Sequence, residues 1–426
     1  MSLSSTLLRS QPLAHSLLKA RSIQVRTAAR TAATRPPASL KDDTPRRGRS
    51  ARKEPELIVP STDTLELPPI DNWRSYFAVH QLVVRDRVSV RNLELADKLA
   101  YSFLDNPHTS SDEPKTVVEA FPGPGQLSRA LLKLPPSKLK KLIILEDHEP
   151  YLQYLRPLEQ ADPRVKIVPL SGFTWATYTQ LEEMGLLADI PYVSSDEVHP
   201  SFHFVTHIPH SIQGEQLVAQ LFRCIPESSW LFRFGRVPMS FIMGKHVWER
   251  VSAPPGSQQR CKLSVIAEAT AEFSLSLPPE DLLPYNAHWH PTAGAPSATQ
   301  KAKPESRKLG HPLVSVNITP MKEQIIAKGR LDEWDYVLRR LFVLKSTALK
   351  KAIGSLAPGA SVLIKPLTDE SLPLEQRVDM AKQIRFLTLA DWALIERAFE
   401  AWPFAPKLED LSIGAFQAEL EKSNKG

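Results

Sequence analysis

Two glycines and one glutamate in the first half of the chain could bind a nucleoside. Residues 116–132 read TVVEAFPGPGQLSRALL, an order of residue types that predicts a buried strand, a glycine turn and a helix. Gly123 and Gly125 let the backbone approach a ligand closely, and the N–H groups at a helix start favour polar or anionic groups. Glu146 follows an apolar run about 20 residues later, where a carboxylate can bind ribose hydroxyls. This predicts a nucleoside site, with a glycine turn that binds nothing as the alternative.

The elements around this site alternate between strand and helix patterns, which predicts an α/β fold. We expect strands at residues 116–119, 142–145, 165–170, 202–207, 230–234, 262–269 and 313–318. We expect helices in the second half of 71–105, after residue 126, and at 215–222, 332–344, 347–356, 374–387 and 389–402. Residues 292–310 are low in apolar residues and predict a flexible excursion. These patterns predict an α/β domain at 57–320, a helical domain at 321–402 and a tail at 403–426.

Composition limits the class of protein. The chain has 426 residues, of which 42% are hydrophobic and 23% charged, as in an ordinary soluble protein of two or three domains. It contains no apolar run long enough to cross a bilayer, so we expect no membrane insertion. Two cysteines, Cys224 and Cys261, are too few for a disulfide framework or a cysteine-based metal cluster, and we expect no metal.

The net charge of +6 comes from the N-terminus. Residues 1–56 hold 12 Lys/Arg and 4 Asp/Glu, so the remainder of the chain is close to neutral. No acidic residue precedes Asp42, and arginines are scattered among serine, threonine, alanine and leucine. This composition is typical of a mitochondrial transit peptide followed by a disordered basic linker, and it predicts a location in the mitochondrial matrix. A basic tail that touches nucleic acid directly is the alternative.

Several local strings, together with the order of elements, resemble one family. They are EAFPGPG at 119–125, LEDH at 145–148, FTWATY at 173–178, the turn His207-Ile208-Pro209-His210, FRFGRVPMSFIM at 232–243 and WDYVLRRLFVLKSTALKK at 334–351. Over residues 70–400 the chain resembles the ribosomal RNA adenine dimethyltransferases and their offshoot, the mitochondrial transcription factor B proteins, especially the fungal ones. The resemblance implies a Rossmann-like class I methyltransferase domain, with a mostly parallel seven-stranded sheet and flanking helices, plus a small all-helical C-terminal domain.

The resemblance also implies an S-adenosylmethionine site, and this chain departs from the active enzymes there. Phe121 stands where they have a glycine, Ser171-Gly172 where they have an aspartate, and His207 and His210 where they have asparagine and tyrosine around the retained Pro209. The implied cofactor-binding positions are Phe121, Gly123, Gly125, Glu146, Gly172 and His207. An adenine amine is a poor nucleophile that must be aligned by acceptors and clamped by an aromatic face. The turn is therefore either a tolerated remnant or a repurposed one, and cofactor binding is residual or lost.

A one-signed basic stretch lies in the predicted helical domain. Arg339, Arg340, Lys345, Lys350 and Lys351 fall in a segment without acidic residues between Asp335 and Asp369. Such a patch could bind a phosphate backbone without reading sequence, and a solvated helix face is the alternative. Residues that could extend the patch are Arg223, Arg233, Arg236 and Lys245, and candidate stacking residues for single strands are Trp175, Trp230 and Trp289.

The altered cofactor positions and the transit leader predict a mitochondrial transcription initiation factor without enzymatic activity. In the resembled fungal factors, a cleft holds melted promoter DNA while the polymerase loads. We therefore expect a monomer that binds the mitochondrial RNA polymerase and promoter DNA. A working dimethyltransferase of small-subunit mitochondrial ribosomal RNA is the alternative, since Glu146, the glycine turn and Pro209 remain. A role in ribosome assembly without catalysis is a third possibility.

Overall fold

The computed structural model describes residues 65–77, 84, 86–105, 111, 113–293 and 309–406. The predicted transit peptide and basic linker, residues 1–56, lie outside these residues. So do most of the predicted flexible excursion at 292–310 and most of the tail at 403–426.

A seven-stranded sheet forms the centre of the fold. Its strands are β2 Lys115–Ala120, β3 Leu139–Leu145, β4 Val165–Val168, β5 Phe202–His207, β6 Met239–Gly244, β7 Ala271–Leu275 and β9 Leu313–Pro320. Two short strands, β1 Ser89–Val90 and β8 Trp289–His290, form a separate pair. The strand order across the sheet is β4-β3-β2-β5-β6-β9-β7. The first five strands in this order are parallel to one another, and β9 runs antiparallel to both of its neighbours. This confirms the predicted mostly parallel Rossmann-like sheet.

Helices cover both faces of the sheet. They are α1 Trp73–Tyr76, α2 Leu93–Leu104, α3 Gln126–Lys133, α4 Glu149–Ala161, α5 Trp175–Glu183, α6 Ile212–Cys224, α7 Lys245–Val251, α8 Lys262–Thr270, α9 Tyr285–His288, α10 Leu331–Phe342, α11 Leu349–Ala352, α12 Ile364–Leu367 and α13 Leu389–Glu400. Every residue of β2, β5 and β6 is buried, as expected for parallel strands covered on both sides. Alternate residues face different cores: Val118 and Phe204 lie in one hydrophobic cluster, Val117 and Val205 in another.

Two predicted strands are wrong, and one strand was missed. Residues 230–234 form a 3-10 helix in which Phe232 donates its N–H to the carbonyl of Ser229. The left-handed φ of 56° at Trp230 is incompatible with an extended strand. The strand that pairs with β5 is the next apolar run, β6. Residues 262–269 belong to α8, a helix buried almost all round, and an apolar run of that kind does not distinguish helix from strand. The edge strand β7, directly after α8, was not predicted.

The C-terminal helices also differ in part from expectation. α10 and α13 confirm the helices predicted at 332–344 and 389–402. Residues 347–356 hold only the short α11 and one 3-10 turn. No long helix occupies 374–387: two 3-10 turns flank extended backbone. The backbone there bonds to other segments instead, since Val378 and Arg385 donate their N–H groups to Leu367 and Lys345. The predicted α2 is present, although Leu93 is exposed and does not join its buried face.

The hydrophobic cluster on one face of the sheet continues into the C-terminal helices. It contains Phe241 and Val316 of the sheet together with Trp334 of α10 and Trp392 of α13. The division into two domains at residue 320 therefore stays a prediction that stability measurements can test. Among the helices in the described part of the chain, none is both long and apolar enough to cross a membrane.

Candidate cofactor site and nucleic-acid interface

Three parallel strands bring the predicted nucleoside residues to one edge of the sheet. β2 ends at Ala120, which is paired with Leu145 of β3 and Thr206 of β5. The glycine turn, Glu146 and the histidine turn each follow directly after one of these three strands. The carboxyl edge of a doubly wound sheet is where such folds bind ligands.

Phe121 fills the space between the glycine turn and the segment after β4. Its side chain is buried, and its φ of 59° lies in the left-handed region that glycine favours. A β-carbon placed on Gly172 would lie 3.1 Å from two atoms of the Phe121 ring, and the ring centroids of Phe121 and Phe173 are 4.5 Å apart. The backbone thus keeps a glycine-like conformation while a phenyl ring occupies the adjoining volume.

Glu146 is buried and already occupied by protein groups. Its Oε1 accepts hydrogen bonds from the guanidinium of Arg87 and from the backbone N–H groups of Asp147 and His148, at 3.0 and 2.9 Å. The same guanidinium donates to Oδ1 of Asp147 at 2.5 Å and lies 5.2 Å from the centroid of the Phe121 ring. Arg87 is 6% exposed, so this ion pair is enclosed by protein. Arg87 lies 59 residues before Glu146, and no sequence pattern indicated that the two residues are in contact.

The residues present do not fit a bound S-adenosylmethionine in this arrangement. Oε1 of Glu146 has three protein donors, while its Oε2 is buried without a hydrogen-bond partner among the described residues. The Phe121 ring covers Gly172, and neither Ser171 nor Gly172 supplies a carboxylate for the adenine amine. Burial raises the pKa of Glu146, and Arg87 acts in the opposite direction by stabilising the carboxylate. Arg87 thus supplies the charge compensation that a neutral ribose could not provide.

The histidine turn is buried as well. His207 is 6% exposed, its ring lies 5.6 Å from the ring of Trp289 in an edge contact, and its Nε2 has no hydrogen-bond partner in the described part of the chain. His210 donates its backbone N–H to the carbonyl of Asp86 at 2.7 Å, and neither of its ring nitrogens is bonded to a described residue. The carbonyl of Pro209 lies so close to Gly214 that a side chain there would collide with it.

Burial keeps both imidazoles neutral. It lowers the pKa of His207 well below its ordinary value, with a further contribution from His210. It lowers the pKa of His210 to about 4, with smaller contributions from His246 and His311. Neither ring is therefore an imidazolium that could act as a general acid at neutral pH, and His207 is buried against Trp289.

The ring of His210 is expected to stay neutral in an NMR titration from about pH 8 down to about pH 5, since its pKa is about 4. A folded-state pKa below that of the unfolded chain also means that stability is present above about pH 6.5 and is lost as the pH falls towards 4. The control is the same sample unfolded in urea, whose histidines should titrate near pH 6.5. A His210 midpoint between about pH 6 and 7 in the folded protein would contradict the buried arrangement.

A large open cavity lies beside the histidine turn. Its volume is about 630 Å³, and one of its lining residues is His246, whose ring centroid is 6.4 Å from that of His210. The basic groups that line it are His246, Arg250, Arg260 and Lys345, and the acidic ones are Glu215 and Glu249. We call this cavity, together with these residues and Phe342, the cationic cleft. Of the five basic residues predicted to bind nucleic acid, Lys345 lies in it, and its Nζ donates to the carbonyl of Gln258 at 3.1 Å.

The other predicted basic residues are not gathered there. Arg233 forms an ion pair with Glu182 and lines a cavity of about 370 Å³. Arg236 donates to the carbonyls of Pro320 and Asp196 at 2.8 and 3.1 Å and lines a third cavity of about 300 Å³. The guanidinium groups of Arg339 and Arg340 lie 6.0 and 5.3 Å from the Tyr336 ring centroid. Arg233, Arg236 and Lys345 thus line three different cavities, and their role in nucleic-acid binding stays a prediction.

The tryptophan candidates separate by exposure. Trp289 is fully buried, so its prediction as a stacking residue for single strands is wrong. Trp175 is 39% exposed and lines the cavity of Arg233 together with Trp230. The sequence prediction missed His246 and Arg250, because their place in the cleft depends on how α7 packs. In the part of the chain that the structure describes, no group of three histidine, cysteine, aspartate or glutamate side chains could hold a metal ion.

Comparisons with known proteins agree with this architecture. The family model for ribosomal RNA adenine dimethylase matches residues 77–395. Mitochondrial transcription factor 1 of Lachancea kluyveri is 26% identical over 317 residues, covering 74% of this chain and 90% of that protein. Mitochondrial transcription factor 1 of Saccharomyces cerevisiae is also 26% identical over 317 residues, covering 72% and 86%. The mitochondrial dimethyladenosine transferase 1 of Vermamoeba vermiformis is 24% identical over 380 residues, covering 81% and 98%. The chain belongs to the ribosomal RNA adenine dimethylase family.

Proposed function

We propose that this protein is a transcription initiation factor of the mitochondrial matrix that helps the mitochondrial RNA polymerase to open promoters and does not methylate nucleic acid. The observation that carries this proposal is that Phe121 and Arg87 fill the site where the family's cofactor would bind. A site closed by the protein's own side chains leaves the methyl donor no place beside the histidine turn.

The chemistry of adenine methylation supports the same conclusion. The reaction depends on holding the amine lone pair in line with the methyl group, which needs open acceptors and an aromatic clamp. His207 and His210 are 6% and 5% exposed, so neither can approach an extruded base in this arrangement. Their neutral imidazoles add no acid catalysis at physiological pH.

The cationic cleft is the surface we assign to nucleic acid. Lys345 is exposed at its rim, and Arg250 is 42% exposed even though it pairs with Glu215 at 2.6 Å. Arg260, by contrast, is fully buried and bonded to the carbonyl of Ala253, so it supports the wall of the cleft from within. Cations of this kind bind phosphates without reading base identity. This fits a factor that holds separated strands of varied sequence.

The names of the relatives support the compartment and the partner. Three of the matched proteins are named mitochondrial transcription factor 1, and each aligns over most of its own length. We therefore propose the mitochondrial RNA polymerase as its partner, promoter DNA as its nucleic acid, and a monomer as the active form.

Run-off transcription tests this function. The cognate mitochondrial polymerase is incubated with a closed promoter duplex or with the same promoter carrying a pre-melted bubble, each with and without this protein. We expect strong stimulation on the closed duplex and little on the pre-melted one, because the protein acts on strand separation. If the protein makes no difference on the closed duplex, the proposal is wrong.

Charge reversal at Lys345 is expected to weaken binding to single-stranded DNA of any sequence and to lower the salt slope of the binding constant by about 1. The physical reason is the loss of one phosphate contact together with added repulsion in the cleft. The measurement is fluorescence anisotropy across a salt series. The matched control is Lys365→Glu, because Lys365 is also exposed, belongs to the short α12 and does not line the cleft. Equal losses in Lys345→Glu and Lys365→Glu would count against the cleft as the interface.

A methylation assay tests the alternative of an active dimethyltransferase. This alternative is suggested by the name of the relative from Vermamoeba vermiformis, a mitochondrial dimethyladenosine transferase. The protein is incubated with labelled S-adenosylmethionine and a hairpin of small-subunit mitochondrial ribosomal RNA. We expect no incorporation of label. Incorporation that His207→Ala abolishes would identify an enzyme and overturn the non-enzymatic part of the proposal.

A further inference from the structure

We propose that Arg87 is a built-in ligand that has replaced the family's nucleoside cofactor, and that residues 86–91 form a strap which it fastens across the old active site. This inference deepens the non-enzymatic part of the proposed function, which rests on the same closed site, and it concerns how that site is closed. It predicts that adenosine-type ligands and the strap exclude each other.

The strap touches all three parts of the degenerate site. Its arginine bonds to Glu146 and Asp147, at the ribose position. Its Asp86 carbonyl accepts the backbone N–H of His210, in the former catalytic turn, at 2.7 Å. Its Ser89 packs against the glycine turn so closely that a β-carbon on Gly123 would collide with the serine Oγ. One short segment therefore bridges elements that a bound cofactor would otherwise connect.

A second anchor holds the far end of the strap. Ser89 and Val90 form β1, which pairs antiparallel with β8 through His290 and Trp289. Arg91 donates its N–H to the carbonyl of His288 at 2.9 Å. Trp289 in turn contacts the ring of His207. The strap is thus tied to the histidine turn at both ends, by Asp86 directly and by β8 through a tryptophan.

Charge explains why arginine is suited to this position. Glu146 and Asp147 are adjacent carboxylates, and Glu146 is buried, so a cation bonded to both stabilises them more than ribose hydroxyls would. The guanidinium also covers the Phe121 ring, 5.2 Å from its centroid. Removing the guanidinium uncovers the carboxylate that could bind a ribose, and it leaves the Phe121 ring as the second feature that blocks a nucleoside.

Phe121 offers a second way to reopen the site. Its backbone has a φ of 59°, which glycine adopts without strain, so Phe121→Gly removes the ring without requiring the turn to change. Together with Arg87→Ala, this substitution removes the guanidinium from the Glu146 carboxylate, which keeps its two backbone donors, and it uncovers the face of Gly172. We expect the double variant to accept an adenosine thioether such as S-adenosylhomocysteine.

Calorimetric titration with S-adenosylhomocysteine tests the proposal on the full chain. We expect the double variant R87A/F121G to bind at least tenfold more tightly than the unmodified protein, and the gain to disappear when E146Q is added. Binding by the unmodified protein that is as tight as by the double variant would overturn the proposal. So would a folded double variant, verified by circular dichroism, that binds no better than the unmodified protein.

Hydrogen exchange supplies a test that does not depend on the double variant folding. In the milder variant Arg87→Gln, the amide of His210 is expected to exchange at least tenfold faster, because its acceptor Asp86 lies on the released strap. Amides of α13 serve as the internal control and should not change. Unchanged exchange at His210 would overturn the strap. Neither measurement contains polymerase or DNA, so failure here and failure of the transcription assay are distinguishable.

Discussion

Replacing Asp335 by alanine is expected to lower the free energy of unfolding by about 3–5 kcal/mol. Asp335 is 2% exposed on α10, and its Oδ1 accepts from the guanidinium of Arg223 on α6 and from Nζ of Lys262 on α8 at 2.7 Å. One buried carboxylate therefore joins three helices. Its removal leaves Arg223, with a side chain only 14% exposed, without its buried partner. Urea denaturation followed by circular dichroism measures the loss.

The control for this prediction lies on the same helix. Asp332 is 55% exposed and sits 3.6 Å from the same guanidinium, so Asp332→Ala is expected to change stability by less than about 1 kcal/mol. Similar losses in the two variants would show that burial does not set the strength of this ion pair.

The same denaturation curves test the domain division predicted at residue 320. A second unfolding transition in Asp335→Ala would reveal this division, while a single transition would mean that the shared core couples both regions.

The nucleoside edge of the fold could be predicted because its information is local. The strand, glycine turn, helix and following carboxylate of residues 116–146 occur in one continuous stretch, and β2, α3 and β3 confirm it. The family resemblance marked Phe121 as a departure at a glycine position, although the sequence did not show where its ring points. Its left-handed φ shows that the turn kept its shape while the side chain changed.

The closure of the site could not be predicted, because it depends on a contact distant in sequence. Arg87 precedes Glu146 by 59 residues and sits among other scattered arginines, so neither periodicity nor spacing distinguishes it. The same dependence on distant contacts explains the outcome for Arg223. This arginine was predicted to extend the basic patch and instead binds Asp335, because only packing decides which cations lie next to carboxylates.

The prediction of secondary structure failed where burial on all sides removed the periodic alternation of apolar and polar residues. α8 is apolar on almost every side because Leu263, Val265, Ile266 and Ala267 are all buried, and such a run is compatible with strand or helix. Conversely, the 3-10 helix at 230–234 looked like a strand because its aromatic residues face the core. In both places the decision lies in tertiary contacts that a local pattern does not contain.

Replacing Glu119 by glutamine is expected to stabilise the protein at about pH 8 by up to about 3 kcal/mol and to have little effect near pH 5. Glu119 is fully buried in β2, and this burial raises the pKa of its carboxyl to about 7. The hydrogen bond from Ser128 Oγ at 2.6 Å acts in the opposite direction, whereas the negative charge of Glu146 raises the pKa further. A folded-state pKa above the unfolded value means that the stability contribution is present below about pH 4.5 and is lost as the pH rises through 7. Glutamine removes that loss because it does not ionise. Thermal unfolding of both proteins at several pH values measures the difference.

The serine that bonds to Glu119 provides the matched control. Its hydroxyl stabilises the carboxylate, so Ser128→Ala is expected to destabilise the protein more at about pH 8 than at about pH 5, opposite in sign to Glu119→Gln. The Oε1 atom of Glu119 has no hydrogen-bond partner among the described residues, which leaves Ser128 as the main support of the ionised form. If the difference between Glu119→Gln and the unmodified protein is the same at both pH values, Glu119 is ionised throughout the range and the buried, protonated carboxyl inferred here is wrong.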